Sequence, residues 1–368
     1  MDTLATRSKH VKPIVERAMQ ANRPIFLWGA PGIGKSELVA GIADSLPGKN
    51  LMIDLRLALM EPTDLRGYPF RNAETNQMEW APPADLPSME LASAYDTVIL
   101  FLDELNSAPP SVQAASYQLI LNGRIGQYYL PGNVRVVAAG NRETDRGVTF
   151  RMPAPLANRF RHITMDVNFE DWQQWAINND IHPDVIGYLS YAKQDLFDFD
   201  PKTSSQAFAT PRSWSYVSEM LAVAGFHEAD AREQMIELAG AVGEGMAIKF
   251  NEHRKIAAYL PNPTDILNGK IKTLDNKVAK EISAKYSLVV GLAYEVNEAY
   301  KEAGSVDADM AVMLNHMIRF SFNNFEPEMV IFALKTLMKD YKIVFNFRKV
   351  LDKDVQTTFN DNYLKYIV

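Results

Sequence analysis

The 368-residue chain contains no cysteine and only six histidines. The lack of cysteine excludes a disulfide framework, a zinc ribbon, an iron–sulfur site and thiol chemistry, and it fits a reducing compartment. The histidines are scattered without an HExxH pair, so we expect no histidine-based metal site. Long apolar runs are also absent, and the start of the chain does not resemble a secretory signal. We therefore expect a cytoplasmic protein without a membrane span.

The chain also lacks an excess of basic residues. It has 38 Lys and Arg against 45 Asp and Glu, for a formal net charge of −7. A nucleic-acid footprint needs a basic surface, so this balance disfavours a nucleic-acid partner without excluding a basic rim in an assembly. The 47% hydrophobic content is that of a globular protein. At roughly 150 residues per domain, two or three domains are expected.

The first part of the chain alternates between apolar runs and helical patterns. Strands are predicted at 24–28, 51–55, 97–102, 134–139 and 162–165. Helices are predicted at 9–21, 35–45 and 110–122. This alternation favours a parallel sheet covered by helices on both faces. The proline-containing segment 61–90 is predicted to be a long loop with a hairpin at 68–80, which contacts a partner or packs on its own domain.

After about residue 167, helical periodicity replaces the strand pattern. Helices are predicted at 210–224, 230–249, 271–303 and 327–341. The last of these has Pro327 at its expected first position. The stretch from Leu260 to Pro263 is the best boundary candidate within this helical half.

A glycine-rich segment after the first predicted strand carries the strongest signal for chemistry. Residues 29–36, GAPGIGKS, match GxxxxGK[ST] between a strand and a helix. Backbone N–H groups of such a loop wrap phosphates, and the helix N-terminus adds its positive end. Lys35 is expected to reach the β- and γ-phosphates, and Ser36 to hold Mg²⁺. The candidate nucleotide-binding residues are Gly29, Pro31, Gly32, Ile33, Gly34, Lys35, Ser36 and Glu37. A dinucleotide-binding pattern fits worse, because Glu37 replaces its third glycine.

Polar residues follow the third and fourth predicted strands. Asp103 ends the apolar run 100–102 and is a candidate Mg²⁺ ligand, directly or through water. Glu104 would then polarise the attacking water. Either acid alone would more often be a solvated strand end. Asn141 follows the fourth strand and is expected to help hold that water, the alternative being an ordinary turn asparagine.

Two arginines are candidates for contact with the terminal phosphate. Arg159 lies just before the last predicted strand and is expected to project into a neighbouring subunit's nucleotide as an arginine finger, with Arg161 as the alternative. Arg212 follows Thr210 and Pro211 in the first turn of a predicted helix, where the helix dipole disfavours a cation. A nearby γ-phosphate would resolve this conflict, so we assign Arg212 to sensing it. The alternative is a solvated arginine.

Taken together, these segments resemble the AAA+ ATPases, and within them the MoxR-like and dynein-related group. The matching segments are GAPGIGKS (29–36, the Walker A motif), EPTDLRGYPF (61–70), VILFLDELN (98–106, the Walker B motif), AAGNRE (138–143), PAPLANRF (153–160) and ATPRSW (209–214). The resemblance covers about residues 8–250. Within this group, the chain resembles phage or bacterial stand-alone ATPases.

The resemblance implies an α/β P-loop NTPase with a parallel five-stranded sheet in the order 5-1-4-3-2, followed by an all-α lid. The implied domains are an AAA+ core at 1–166, a helical lid at 167–250, and a C-terminal extension or elaborated lid at 251–368. The resemblance also implies ATP and Mg²⁺ as cofactors and a ring, usually hexameric, with nucleotide between subunits. It gives Lys35, Ser36, Asp103, Glu104, Asn141, Arg159 and Arg212 the roles described above. Segment 61–90 falls where this group has a hairpin that faces the pore or a partner.

Members of the group often act as chaperones, frequently with a von Willebrand A-domain partner. The first hypothesis is therefore an ATP-hydrolysing ring that remodels or activates protein partners. A nucleic-acid-translocating motor is an alternative that the acidic charge balance opposes. A nucleotide-gated, non-catalytic scaffold is another, opposed by the presence of both Asp103 and Glu104. A metal-chelatase motor would need a tetrapyrrole-binding partner.

Overall fold

The computed structural model describes residues 5–145, 149–202, 206–275, 278–343, 347–363 and 366. Its contacts divide the chain into two compact units. The first unit comprises residues 1–168 with 200–204, and the second comprises 169–199 with 205–368. Among the described residues, no helix is long and apolar enough to cross a membrane.

The described strands of the first unit are β1 (Ala5–Arg7), β2 (Ile25–Trp28), β3 (Asn50–Arg56), β4 (Tyr68–Arg71), β5 (Met78–Ala81), β6 (Thr97–Asp103), β7 (Arg124–Ile125), β8 (Tyr128–Tyr129), β9 (Val134–Gly140) and β10 (Arg161–Asp166). Its described helices are α1 (Ser8–Gln20), α2 (Lys35–Ser45), α3 (Pro62–Arg66), α4 (Met89–Ser93), α5 (Pro110–Asn122) and α6 (Ala154–Ala157). Short 3₁₀ turns lie at Leu57–Leu59, Leu105–Ser107 and Glu143–Asp145.

A parallel six-stranded sheet forms the centre of the first unit. Its order is β1-β10-β2-β9-β6-β3, and every neighbouring pair is parallel. Without β1, this is the order 5-1-4-3-2 that the resemblance implied, so that prediction is confirmed. The strand count was one too low, because β1 is a three-residue edge strand paired with β10 and has no apolar run to reveal it.

The central strand β6 shows why the sheet is covered on both faces. Its residues Val98–Leu102 are completely buried. Ile99 and Phe101 pack in a core with residues of α1 and α2, whereas Leu100 and its same-face neighbours pack in a second core with residues of α5. A strand between two helical layers buries both faces, and its sequence is therefore an uninterrupted apolar run.

The hairpin predicted at 68–80 is present as β4 and β5, paired antiparallel with Tyr68 opposite Ala81. Gly67 precedes β4 with a φ of +82°. A side chain at Gly67 would collide with the carbonyl oxygen of Ala81. The tight approach of the two strands therefore requires glycine at this position. The hairpin also exposes Tyr68 and Met78, each with 65% of its surface accessible.

The second unit is helical in its described residues. Its helices are α7 (Phe169–Asn178), α8 (Pro183–Tyr191), α9 (Pro211–Ala222), α10 (Ala224–Glu228), α11 (Ala231–Val242), α12 (Glu244–Ala257), α13 (Pro263–Leu267), α14 (Ile282–Ala303), α15 (Ala308–Asn324), α16 (Pro327–Lys335), α17 (Phe347–Val350) and α18 (Lys353–Asn362). Short 3₁₀ turns lie at Lys193–Leu196 and Val278–Lys280, and a π-helical turn at Thr336–Asp340 extends α16.

Two helix predictions in this unit were wrong in their extent. The helix predicted at 230–249 is two helices, because Gly243 adopts a φ of +87° between α11 and α12. The helix predicted at 271–303 begins only at Ile282. Before it, the backbone N–H of Leu274 donates to the side chain of Asn324 at 2.8 Å instead of entering a helix. Tertiary contacts override helical periodicity in this segment.

Helices α13 to α16 share a core that includes Leu292 and Val296 of α14, Leu314 of α15 and Val330 of α16. Helix α14 also contacts α8, which lies before residue 250, and α12, which extends across it. Residues on both sides of position 250 thus belong to one compact unit. The finer division into a lid and an extension stays a prediction.

Candidate functional site

The glycine-rich segment 29–36 forms the loop between β2 and α2. Gly32 and Gly34 have φ values of +74° and +88°, in the left-handed region that favours glycine. Gly34 is the N-cap of α2, which begins at Lys35. The first N–H groups of a helix have no partners within the helix, so this loop and helix start present donors suited to phosphate.

Lys35 connects this loop to the end of β9. Its Nζ donates to the carbonyl oxygens of Gly29 at 2.8 Å and Ala30 at 3.0 Å. It also donates to Oδ1 of Asn141 at 3.1 Å. The fold thus brings together two candidate residues that are 106 positions apart in sequence.

Ser36 and Asp103, the two candidate Mg²⁺ ligands, are in direct contact. The Ser36 hydroxyl donates to Oδ2 of Asp103 at 3.1 Å. Hydroxyl and carboxylate oxygens are ligands that Mg²⁺ prefers, and Mg²⁺ sites commonly combine one or two of them with phosphates and water. Among the described residues, no group of three or more His, Cys, Asp or Glu side chains is arranged for a metal ion. The residues present therefore fit a nucleotide-bound Mg²⁺ rather than an all-protein metal site.

Glu104 has an unusual backbone conformation next to this pair. Its φ is +55° and its ψ is +31°, a left-handed conformation that non-glycine residues seldom adopt. Its N–H donates to Oδ1 of Asp103 at 2.9 Å, and its carbonyl accepts from the N–H of Ser107 at 2.9 Å. These bonds hold the strained residue in place. Backbone strain of this kind is concentrated at functional sites.

Asp54 on β3 adds a third carboxylate, which lies outside the recognised sequence motifs. It lies two residues before Arg56, which is paired in register with Asp103. Asp54 is exposed, yet partial desolvation raises its pKa, the negative charges of Asp103 and Glu104 raise it further, and Arg56 opposes the shift. The only sequence signal was one acidic residue inside the predicted strand 51–55.

Asn106 is a second residue of the site to which the sequence motifs assigned no role. It is only 1% exposed, and its side-chain amide donates to the backbone carbonyl of Asn141 at 2.7 Å. A side chain at Gly140 would collide with Oδ1 of Asn106. The carbonyl of Gly140 in turn accepts from the N–H of Gly29 at 3.2 Å. Asn106 therefore fixes the turn that carries Asn141. In the sequence, only its position at the end of the segment 98–106 pointed to a role in the site.

Arg159 lies near the amino ends of the strands, whereas the nucleotide-binding loop of its own chain lies at their carboxyl ends. It follows α6 and precedes β10, whose first residue Arg161 pairs with Ile25 at the start of β2. The loop begins after Trp28, at the opposite end of β2. At about 3.3 Å per residue, the two ends of β2 are on the order of 10 Å apart. Arg159 and Arg161 are both exposed, near the amino end of β10.

Arg212 belongs to the second unit, in the first turn of α9. The hydroxyl of Thr210 caps this helix by accepting from the N–H of Ser213 at 3.1 Å, and Pro211 is its first residue. The predicted helix start is confirmed. Arg212 is exposed, and its role as a γ-phosphate sensor stays a prediction.

Residues 24–160 match the family described as "AAA domain (dynein-related subfamily)". This range contains the loop 29–36, both acids at the end of β6, Asn141 and Arg159. In these residues and in its sheet order, the chain is therefore similar to the dynein-related AAA+ proteins. The family resemblance inferred from the sequence is thereby confirmed.

Two midasins are similar to the chain over this region. Midasin of Giardia intestinalis is 28% identical over 193 residues, which cover 50% of this chain and 4% of that protein. Midasin of Dictyostelium discoideum is 29% identical over 175 residues, covering 44% and 3% respectively. The chain thus spans only a few per cent of the length of these relatives.

Among solved structures, NtrX of Brucella abortus is similar with a TM-score of 0.39 and 13% sequence identity, covering 86% of this chain and 69% of that chain. A likeness this low carries no argument about the site.

Proposed function

We propose that this chain is a Mg²⁺-dependent ATPase that assembles into a homo-oligomeric, hexameric ring with its nucleotides bound between subunits. ATP hydrolysis would serve to remodel or activate a protein partner in the cytoplasm, with a von Willebrand A-domain protein as a candidate. One observation carries the ATPase proposal. Ser36 contacts Asp103, and Lys35 contacts Asn141, so that three motifs distant in sequence meet at one end of the sheet.

In this proposal, the loop 29–34 and the N-terminus of α2 bind the phosphates, and Lys35 neutralises their charge. Ser36 and Asp103 would hold Mg²⁺, which when bound offsets charge on the phosphate oxygens. Glu104 accepts a proton from the attacking water, and Asn141 helps to orient that water. The contact between Asp103 and the N–H of Glu104 supports this division of roles, because it fixes one acid relative to the other.

The position of Arg159 supports active sites that are shared between subunits. An arginine finger must reach the γ-phosphate. Arg159 lies near the amino ends of the strands, whereas its own loop lies at their carboxyl ends. A neighbouring subunit in a ring would bring such a residue to the nucleotide. Arg212 would act as the sensor that couples hydrolysis to movement of the helical unit.

The exposed hairpin β4–β5 supports contact with a protein partner. It presents Tyr68, Phe70 and Met78, which are 65%, 45% and 65% exposed. Apolar side chains grouped on an exposed element commonly mark interaction sites. The net charge of −7 favours a protein over a nucleic acid in this role.

ATP turnover measured against protein concentration, with mass measured in parallel, tests the proposal. We expect turnover per subunit to rise as a ring forms, and Glu104→Gln to lower it by about a hundredfold or more while ATP binding is kept. Concentration-independent turnover by a monomer would contradict the ring. Turnover that is absent from assembled wild-type protein would indicate a nucleotide-gated scaffold, and stimulation by DNA with a steep salt dependence would indicate a nucleic-acid motor.

A further inference from the structure

A pair of aromatic side chains links the strand before the nucleotide-binding loop to the segment before β10. Trp28 is the last residue of β2 and directly precedes Gly29. Its indole N–H donates to Nδ1 of His162 at 2.9 Å. On the other side of the imidazole, Nε2 lies 2.7 Å from the carbonyl oxygen of Ala157, the last residue of α6. Trp28, His162 and this carbonyl thus form a hydrogen-bonded relay between β2 and α6.

The two hydrogen-bond partners of His162 determine which of its ring nitrogens carries the proton. The indole N–H of Trp28 can only donate, so Nδ1 of His162 must accept. The carbonyl of Ala157 can only accept, so Nε2 must carry the proton and donate. One neutral tautomer satisfies both bonds.

Ring packing holds this relay in one orientation. The rings of Trp28 and His162 are stacked at 26° with centroids 5.9 Å apart. Phe26, one pleat earlier on β2, packs against Trp28 at 4.3 Å and edge-on against Phe160 at 5.4 Å. Phe26 and Phe160 are buried. The relay is therefore anchored in the core of the first unit.

The far end of the relay is the turn that carries Arg159. Helix α6 has only four residues, and the carbonyl of Ala157 is one of its terminal acceptors. That carbonyl also accepts from the N–H of Phe160 at 3.2 Å. Arg159 thus lies between two residues that meet at this oxygen, and its side chain is exposed.

We propose that Trp28 and His162 are positioning residues for Arg159, which they hold through the carbonyl of Ala157. The inference rests on the proposed function, because it assumes that Arg159 acts in the nucleotide site of a neighbouring subunit. The relay then limits the conformations of the turn that carries Arg159 before the subunits meet. Such preorganisation raises the turnover rate without changing the affinity of the neighbour's loop for ATP.

Mixtures of two defective subunits test this role. A Lys35→Ala subunit keeps Arg159 and serves as the arginine donor, whereas an Arg159→Ala subunit keeps Lys35 and serves as the nucleotide holder. Turnover in the mixture arises only where a holder meets a donor. We expect His162→Ala in the donor to lower kcat roughly three- to tenfold, the range that one lost hydrogen bond supports, with KM for ATP unchanged. The same substitution in the holder should change neither value.

Two further variants serve as controls. His10→Ala removes another exposed histidine of the first unit, on α1, and should have no effect in the donor. Trp28→Phe keeps an aromatic ring but removes the indole N–H, and in the donor it should lower kcat in the same direction. Trp28→Phe also decides the question if His162→Ala subunits fail to fold or assemble.

The remaining outcomes overturn the inference in distinguishable ways. Equal losses in the donor and holder arms would show a general structural role for His162. A donor arm with unchanged kcat would show that the relay does not position Arg159. In both cases the unmodified mixture is active, so the proposed function survives. A mixture that is inactive without any change at His162 contradicts the shared active site, and the inference falls with it.

Discussion

At the scale of single residues, backbone conformations and charges single out the end of the sheet beside the loop. Glu104 is in the left-handed region with a φ of +55°. Asp54 has a raised pKa because it is partly desolvated and because two further carboxylates lie nearby. Gly34 requires a φ that other residues rarely adopt. Each feature is unfavourable for stability alone, and all of them lie around the proposed phosphate site.

Substitution of Gly34 by alanine separates conformational strain from steric exclusion. An added Cβ would meet no atom within 4 Å, so space is available, but the φ of +88° would remain strained. We expect a loss of about 1 kcal/mol in the free energy of unfolding and a lower affinity for ATP. Urea denaturation and nucleotide titration measure the two effects. Gly41→Ala on α2, also with open space around the added Cβ, is the matched control and should be neutral or stabilising. Equal behaviour of the two variants would contradict the account.

Replacement of Asp54 by asparagine tests the carboxylate cluster. A raised carboxyl pKa means that the folded state binds the proton more tightly, so wild-type stability is lost as pH rises above the ordinary value of 3.8. The asparagine side chain does not ionise in this range. We therefore expect the stability of Asp54→Asn relative to wild type to be greater at pH 7 than at pH 4. Urea midpoints at the two pH values measure this, and a difference of the opposite sign would contradict the raised pKa.

The candidate site was predictable from the sequence where a motif links residue type to a fixed place on the fold. Lys35 and Ser36 were placed at the start of a helix, and Asp103 and Asn141 at strand ends. The structure brings Lys35 into contact with Asn141, and Ser36 into contact with Asp103. Asp54, Asn106 and His162 were not found. Their roles depend on which residue of an adjacent strand or turn lies opposite them, and such pairing across the sheet leaves no local pattern.

At the scale of elements, the sequence predicted the strands and helices whose apolar pattern reflects burial. Strands β2, β6 and β9 are mostly buried apolar runs, and α2 and α5 were found with the correct ends. Three departures have physical causes. Strand β1 is too short and polar to be recognised, Gly243 splits a helix through its φ, and the segment before Ile282 hydrogen-bonds to Asn324. Local patterns do not contain these tertiary effects.

The contact between α12 and α14 makes the second unit sensitive to acid. His253 of α12 is buried, and its Nε2 lies 2.7 Å from the hydroxyl of Ser287 on α14. Burial lowers the pKa of His253 to about 4, although the negative charge of Asp184 opposes the shift. The stability that the neutral ring contributes is therefore present above the ordinary pKa of 6.5 and is lost as pH falls toward about 4.

We expect about one proton to be taken up on unfolding in this range. The unfolding constant should therefore rise about tenfold for each unit by which the pH is lowered. His253→Gln should have a shallower dependence of stability on pH between 6.5 and 4 than wild type. Denaturation monitored by tryptophan fluorescence at several pH values compares the slopes. His316→Gln, which changes another histidine of the second unit, is the control. Parallel slopes for wild type and His253→Gln would contradict this assignment.

At the scale of the whole molecule, the two kinds of candidate phosphate contacts lie at opposite ends of the strands of one sheet. The loop, Asp103 and Asn141 are at the carboxyl ends of the strands, and Arg159 is at the amino end of β10. A complete site of the proposed kind therefore needs a second copy of the chain. Under this proposal we expect an unpaired subunit to be inactive, so that turnover depends on assembly.

Complementation between Lys35→Ala and Arg159→Ala subunits is the most direct test of this claim, measured as ATP turnover of each variant alone and of an equal mixture. Each variant alone should be inactive. In the mixture, about one quarter of the interfaces of a randomly assembled closed ring would join a functional loop to a functional arginine, so turnover should reach about a quarter of the wild-type value. Mixtures that stay inactive although mass measurement shows mixed rings, or Arg159→Ala rings that keep full turnover alone, would contradict an active site shared between subunits.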